Sequence, residues 1–165
     1  ELIPRKNHEI IINAVAELKN PKIHLFIAGE GKLKDYLKKI IHSKKLEKNV
    51  HLLGFCRNIS ELCNACNVFI FPSIQEGLSM ALMEAMACGK PIIASKIRGN
   101  VDLIENNKGG YLISSNDKIA YKNAIISLYE QPYKCTKFGK YNLIKIQNYS
   151  IENVIKQMDS FLFKI

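Results

Sequence analysis

In NHEIIINAVAELKN (7–20) the apolar residues at 11, 14, 15 and 18 trace one helical face, whereas KIHLFIAG (22–29) is a short apolar run closed by glycine, a buried strand. The alternation continues. LKDYLKKIIHS has helical spacing, VHLLGF reads as a strand, ISELCNAC as a helix, NVFIFPS as a strand, SMALMEAMACG as a helix and KPIIAS as a strand. VDLIEN then predicts a short helix and GGYLIS a strand, and helical patterns cover 117–130, 134–148 and 150–164. A repeated β-α order predicts one doubly wound parallel sheet with helices on both faces, the Rossmann-like arrangement. Ligands of such sheets bind beyond the carboxyl ends of the strands.

Four loops share that edge: GEGK with Gly29, CRNIS with Cys56 and Arg57, SIQEGLS, and KIRGN. A dinucleotide fingerprint in the first would need glycine at 34, where Lys34 stands, so hydride transfer is disfavoured. The third loop carries more. Ser79 is placed to cap a helix over 80–88 and Gly89 to end it, so unpaired amides and a partial positive charge face the crevice. Glu76 lies just before this turn and Glu84 within the helix; each carboxylate can accept two hydrogen bonds from a sugar diol. Two carboxylates flanking a helix terminus form an inventory for a nucleotide sugar. Glu9 and Glu17 repeat the spacing of eight on a polar helix face, so the strand, glycine and cap around Glu76 distinguish it, not the spacing.

Composition narrows the class. The chain has 165 residues, enough for one domain, with 47% hydrophobic and 24% charged residues and no low-complexity segment. No apolar run reaches the length of a membrane span and no signal peptide is visible, so a cytoplasmic location is expected. Five cysteines, an odd number, suit reduced thiols, and the lone C-x-x-C of Cys63 and Cys66 lacks the second half of a zinc site. Net charge is +9, and it favours anionic partners such as a nucleotide phosphate or an anionic membrane surface. The lysine clusters at 32–39 and 38–48 lack the aromatic interleaving of a base-stacking platform, which argues for solvated helix faces and against nucleic acid. None of the histidines 8, 24, 42 and 51 has a neighbour in sequence that suggests a base.

FPSIQEGLSMALMEAMACGKPIIAS resembles the C-terminal donor-binding domain of retaining glycosyltransferases of family 4, whose E-x7-E motif sits between strand and helix. The likeness extends through PRKNHEIIINAVAEL, HLFIAGEGKLKDYL, VHLLGFCRNISELCNACNVFIFPS and IRGNVDLIENNKGGYLI. It implies one half of a GT-B enzyme, here residues 1–165, without the acceptor-binding N-terminal half, so donor binding with poor turnover is expected. It also implies a nucleotide sugar donor, typically of uridine diphosphate, and a saccharide or lipid-linked acceptor in bacterial polysaccharide assembly. Glu84 would hold the ribose hydroxyls, and Glu76 the transferred sugar, with the amides of Gly77, Leu78 and Ser79 nearby. Lys6 matches the lysine that grips the diphosphate. The companion arginine of the family stands a few residues earlier, near Glu1, and Arg5 is the arginine available. Phe55, Cys56 and Arg57 match the place where the base meets backbone groups. No D-x-D occurs, and the resemblance implies that protein cations, without a metal or other cofactor, neutralise the leaving group. A sugar-nucleotide epimerase of the same architecture and a non-catalytic nucleotide-sugar-binding module are the competing readings.

The tail SIENVIKQMDSFLFKI repeats Ile151, Val154, Ile155, Met158, Leu162 and Ile165 at helical spacing behind Ser150 as cap. Such a helix either packs wholly on its own domain or leaves an apolar stripe that promotes association.

Overall fold

A computed structural model describes residues 1–162. A 3-10 turn, Pro4–Lys6, leads into α1 (His8–Leu18), β1 (Leu25–Ala28), α2 (Lys34–Ser43), β2 (Val50–Gly54), α3 (Ile59–Ala65) and β3 (Phe69–Phe71). There follow α4 (Met80–Ala87), β4 (Ile92–Ser95), α5 (Asn100–Leu103), β5 (Gly110–Ile113), α6 (Lys118–Glu130), α7 (Pro132–Ile146) and α8 (Ile151–Leu162). Every strand pairing is parallel, and the α/β class read from the periodicity holds.

The sheet departs from the expected single one. Among the described residues β1 pairs with β2, while β3, β4 and β5 form a separate sheet in that order. Strand identity is local, but whether two strands touch depends on what stands between them. Between β1 and β3 lies a cavity of about 900 Å³ lined by every residue of 22–28 and 67–73.

Two cores cover the strands. Ile93 of β4 joins a cluster with Ile11, Ile12 and Val15 of α1, Leu37 of α2 and Tyr121, Ile125 and Leu128 of α6. Its neighbours Ile92 and Ala94 face the other cluster, with Cys63 of α3, Leu82 and Met86 of α4 and Leu103 of α5. Successive β4 side chains thus point to opposite faces, and all four of its residues are buried. Lateral ties come from asparagines. Asn142, buried on α7, donates to the carbonyls of Lys90 and Gly109, both at 2.7 Å, and so anchors that helix to the chain entering β4 and β5.

The tail is helical over Ile151–Leu162, and its Ser150 Oγ accepts from Asn153 N at 3.3 Å. Ile165 lies outside the described residues. Ile151, Val154, Ile155 and Met158 are all exposed, so this stripe is not packed on its own domain. The chain 1–165 should therefore self-associate as its concentration rises, and Ile155→Lys with Met158→Lys should restore a monomer in sedimentation. A wild-type chain that stays monomeric at high concentration would contradict this.

Candidate functional site

Three segments meet beyond the carboxyl end of β3. The 3-10 turn is docked first: the amide of Ile74 donates to the carbonyl of Arg5 at 2.8 Å. Asn7, left-handed at φ 53, ends the turn and sends its side-chain amide to Pro72 O at 3.2 Å and Ser115 O at 2.8 Å. Arg5 and Lys6 are thereby delivered onto the 73–79 loop. There Glu76 Oε1 accepts from Lys6 Nζ at 2.6 Å and from Arg5 at 2.9 Å. The Lys6 ammonium also stands 5.1 Å from the centre of the Phe71 ring.

Only 10% of the Glu76 side chain is exposed. Burial alone would push its carboxyl up, yet the hydrogen bond from Lys6 and the charges of Lys6 and Arg5 prevail and hold it below the usual carboxylate range. Both cations use Oε1, and Oε2 has no cationic partner among the described residues. His8, one turn on, is pushed down to about 4 by burial first, then by the amino-terminal ammonium and Lys6. It is neutral at pH 7.

The loop is supported from behind. Ser95, fully buried at the end of β4, donates to the Ser73 carbonyl, and buried Asn100 donates to Ser95 O at 3.0 Å and Ser95 Oγ at 3.1 Å. Gly99 has φ +84, and a Cβ there would collide with the Gly77 carbonyl, so this position requires glycine. On its outer side Gly77 has nothing within 4 Å of where a Cβ would stand, and Leu78 is exposed. Space is left for a ligand over the loop.

The helix termini follow the sequence closely. Ser79 Oγ accepts from Leu82 N at 3.4 Å, capping α4, and Gly89 at φ 64 follows its end. The amides of Met80 and Ala81 have no main-chain partner among the described residues, which leaves donors for an anion. Glu84 is exposed on α4, and its side chain makes no hydrogen bond or ion pair among the described residues. Gly29, at φ 131, is explained by packing: a Cβ would stand 2.9 Å from the Glu1 nitrogen. Cys56 is half-buried and its Sγ lies 3.7 Å from Gly54 O, whereas Phe55 and Arg57 are exposed. The structure thus unites Arg5, Lys6 and Glu76 with the loop of Gly77, Leu78 and Ser79. It does not join Glu84, Gly29, Cys56 or Arg57 to that cluster by any hydrogen bond or ion pair.

Sequence reasoning missed Asn7, Ser95, Gly99 and Asn100. Only the KIRGN turn hinted at the last two, by placing glycine before a helix. Cys63 is buried and Cys66 half-buried, their thiols pushed up by burial, Cys63 to about 11, as befits packing residues. No group of three or more potential metal ligands occurs among the described residues.

A parallel α/β fold with a cationic strand-end cluster and a capped helix terminus presents donors that suit an anionic ligand. The model of the family Glycosyl transferases group 1 matches residues 1–143, and the chain belongs to that family. It is 32% identical over 160 residues to the putative glycosyltransferase EpsD of Bacillus subtilis strain 168, covering 96% of this chain and 42% of that protein. It is also 32% identical over 161 residues to the poly(ribitol-phosphate) alpha-N-acetylglucosaminyltransferase of Staphylococcus aureus strain COL, over 94% of this chain and 32% of that one. The crystal structure of Anabaena HepE in complex with UDP superposes with a TM-score of 0.91 at 27% identity, over 100% of this chain and 47% of that chain. The chain thus spans less than half the length of each.

Two titrations should be visible in stability. Glu76 has a lowered folded pKa, so its contribution is present above the ordinary carboxyl value of 4.5 and is lost as pH falls through the folded value. Glu76→Gln should cost about 1.5–3 kcal/mol at pH 7, the range of hydrogen bonds to charged groups, and the gap should close on acidification below that ordinary value. His8, folded at about 4 against its ordinary 6.5, should add a loss of stability as pH falls from 6.5 toward 4, which His8→Gln removes. Chemical denaturation across pH 3–8 measures both, and a pH-independent gap for Glu76→Gln would refute the ion pairing.

Proposed function

We propose that this chain is the donor-binding part of a retaining GT-B glycosyltransferase that moves a sugar from a uridine diphosphate sugar to a saccharide or lipid-linked acceptor in bacterial polysaccharide assembly. One observation carries the reading: Lys6 and Arg5 converge on a single oxygen of Glu76, beside the open loop and the capped amino end of α4. The carboxylate both positions two cations for a diphosphate and keeps Oε2 for a sugar hydroxyl.

Cleavage of the bond between anomeric carbon and phosphate gathers charge on the departing diphosphate. Lys6, Arg5 and the free amides at Met80 and Ala81 stand where that charge grows. Glu84 serves the ribose hydroxyls from the outer face of α4. The names of the S. aureus relative and of the HepE complex with UDP support the donor class. Exposed lysines of α2 and the turn after it, such as Lys38, Lys44 and Lys45, provide a surface for peripheral contact with an anionic cytoplasmic membrane face.

Calorimetry with UDP, UDP-sugars and uridine tests the division of roles. Glu84→Ala should weaken UDP binding roughly ten- to a hundredfold, the scale of hydrogen bonds to a charged group. Glu76→Ala releases Lys6 and Arg5 as well as the sugar contact, so it should weaken UDP and weaken the sugar conjugate by a larger factor. Lys6→Ala should weaken UDP but not uridine, and wild-type affinity should fall with salt. UDP affinity unchanged within a factor of about two in Glu84→Ala removes the ribose assignment. Failure of wild-type chain to bind any nucleotide sugar removes the whole reading.

A further inference from the structure

Away from the strand-end site, three polar side chains close a triangle at the corner between α6 and α7. Lys134 Nζ donates to Ser127 Oγ at 3.0 Å and to Tyr111 OH at 3.3 Å, and the two hydroxyl oxygens stand 2.9 Å apart. All three residues are half-buried. Each comes from a different element: Tyr111 from β5, Ser127 from the last turn of α6 and Lys134 from the first turn of α7. Buried Phe138 meets the Tyr111 ring edge-on, with centroids 5.4 Å apart, so the core sets the position of that hydroxyl.

The triangle holds more donors than acceptors. An ammonium carries three N–H donors and each hydroxyl one O–H, and the three contacts of the triangle use only three of these hydrogens. One N–H and one O–H are left without a partner among the described residues. The charge is also unanswered. Glu130 is the one acid in the sequences of α6 and α7, and it forms no ion pair among the described residues; Lys118 and Lys122 of α6 pair instead with Glu17 of α1. Lys134 stands where the dipole of α7 disfavours a cation, in a first turn that holds no acid. A half-buried cation with surplus donors and no counter-charge is suited to an anion from outside the chain.

We propose that Lys134, Ser127 and Tyr111 bind a phosphate group, at a site separate from the one at the strand ends. The ammonium supplies charge and one N–H, and the free hydroxyl hydrogen goes to a neighbouring oxygen of the same phosphate, whose several acceptor oxygens suit donors on two centres. Length keeps the two sites apart: Ser127 lies nine residues beyond Lys118, so about 14 Å of α6 separates it from the edge that carries Glu76. A phosphate held there ties α6 and α7 to β5, the outer strand of its sheet. A lipid headgroup and a free phosphate compound offer the same oxygens.

Amide chemical shifts of the chain 1–165, followed while inorganic phosphate, acetate or chloride is added at matched ionic strength and pH, test the site directly. Phosphate should shift Ser127 and Lys134 saturably, and the other two anions should not. Lys134→Gln should weaken phosphate at this site about tenfold or more, the scale of a hydrogen bond to a charged group. Tyr111→Phe and Ser127→Ala, which keep the ammonium, should each weaken it several-fold. In all three variants the loop 77–81 should respond to phosphate as it does in the wild-type chain, so failure at α7 is distinguishable from failure of the donor reading. Vesicles separate the sources: co-sedimentation with phosphatidylglycerol but not phosphatidylcholine, reduced by Lys134→Gln, assigns a lipid headgroup, and saturable binding of inorganic phosphate without it assigns a free phosphate compound. No saturable change at Ser127 and Lys134 in the wild-type chain, an equal response to acetate, or an undiminished response in Lys134→Gln overturns the proposal.

Discussion

The structure around the strand ends depends on one carboxylate oxygen that accepts from two cations. Arg5 and Lys6 arrive on a 3-10 turn from one end of the chain and Glu76 on a loop 70 or 71 positions later. Removing a mostly buried carboxylate from water is unfavourable, and the arrangement holds because two charge-assisted hydrogen bonds, with the Phe71 ring beneath Lys6, offset that cost. Folding thus sets the cations in place before any ligand arrives. An anion meeting these cations, as proposed, then needs little rearrangement of long, entropy-rich side chains on binding.

That clasp explains the rigid support behind the loop. The Glu76 oxygen stays under both cations only if the backbone at 73–77 is fixed. Ser95 and Asn100 hold Ser73 from the end of β4, while the space saved at Gly99 lets α5 begin directly against Gly77. Each of these residues sits at the carboxyl edge of the sheet, where the main chain leaves a ladder and its polar groups need new partners. The site is built from groups that the strands release.

Much of this was legible in sequence because it is governed by near neighbours. The alternation of periods located the strands, Ser79 and Gly89 bracketed α4, and Glu76 stood out through its glycine and cap. Boundaries moved where local geometry intervened: the helix read over 101–106 starts at Asn100 and stops after Leu103, since Asn100 is drawn in by Ser95. The ion pairs between Glu76 and residues 5 and 6, the asparagine ties of Asn7 and Asn142, and the division of the sheet were not legible. All rest on contacts between distant segments that leave no periodic trace.

The division of the sheet and the chemistry of the site are linked through the 3-10 turn. Glu1 and Leu2 cross over Gly29 and Gly31 on the β1 side, where a Cβ at Gly29 would strike the Glu1 nitrogen, while Arg5 and Lys6 reach the β3 side. Six residues therefore bridge the carboxyl ends of two sheets that share no ladder. Relative movement of those sheets would be felt first at the Lys6 to Glu76 contact, because a displacement of about 1 Å takes a 2.6 Å charge-assisted bond out of hydrogen-bonding range. Whatever holds β1 and β3 at fixed separation therefore also fixes the geometry in which Lys6 and Arg5 meet Glu76.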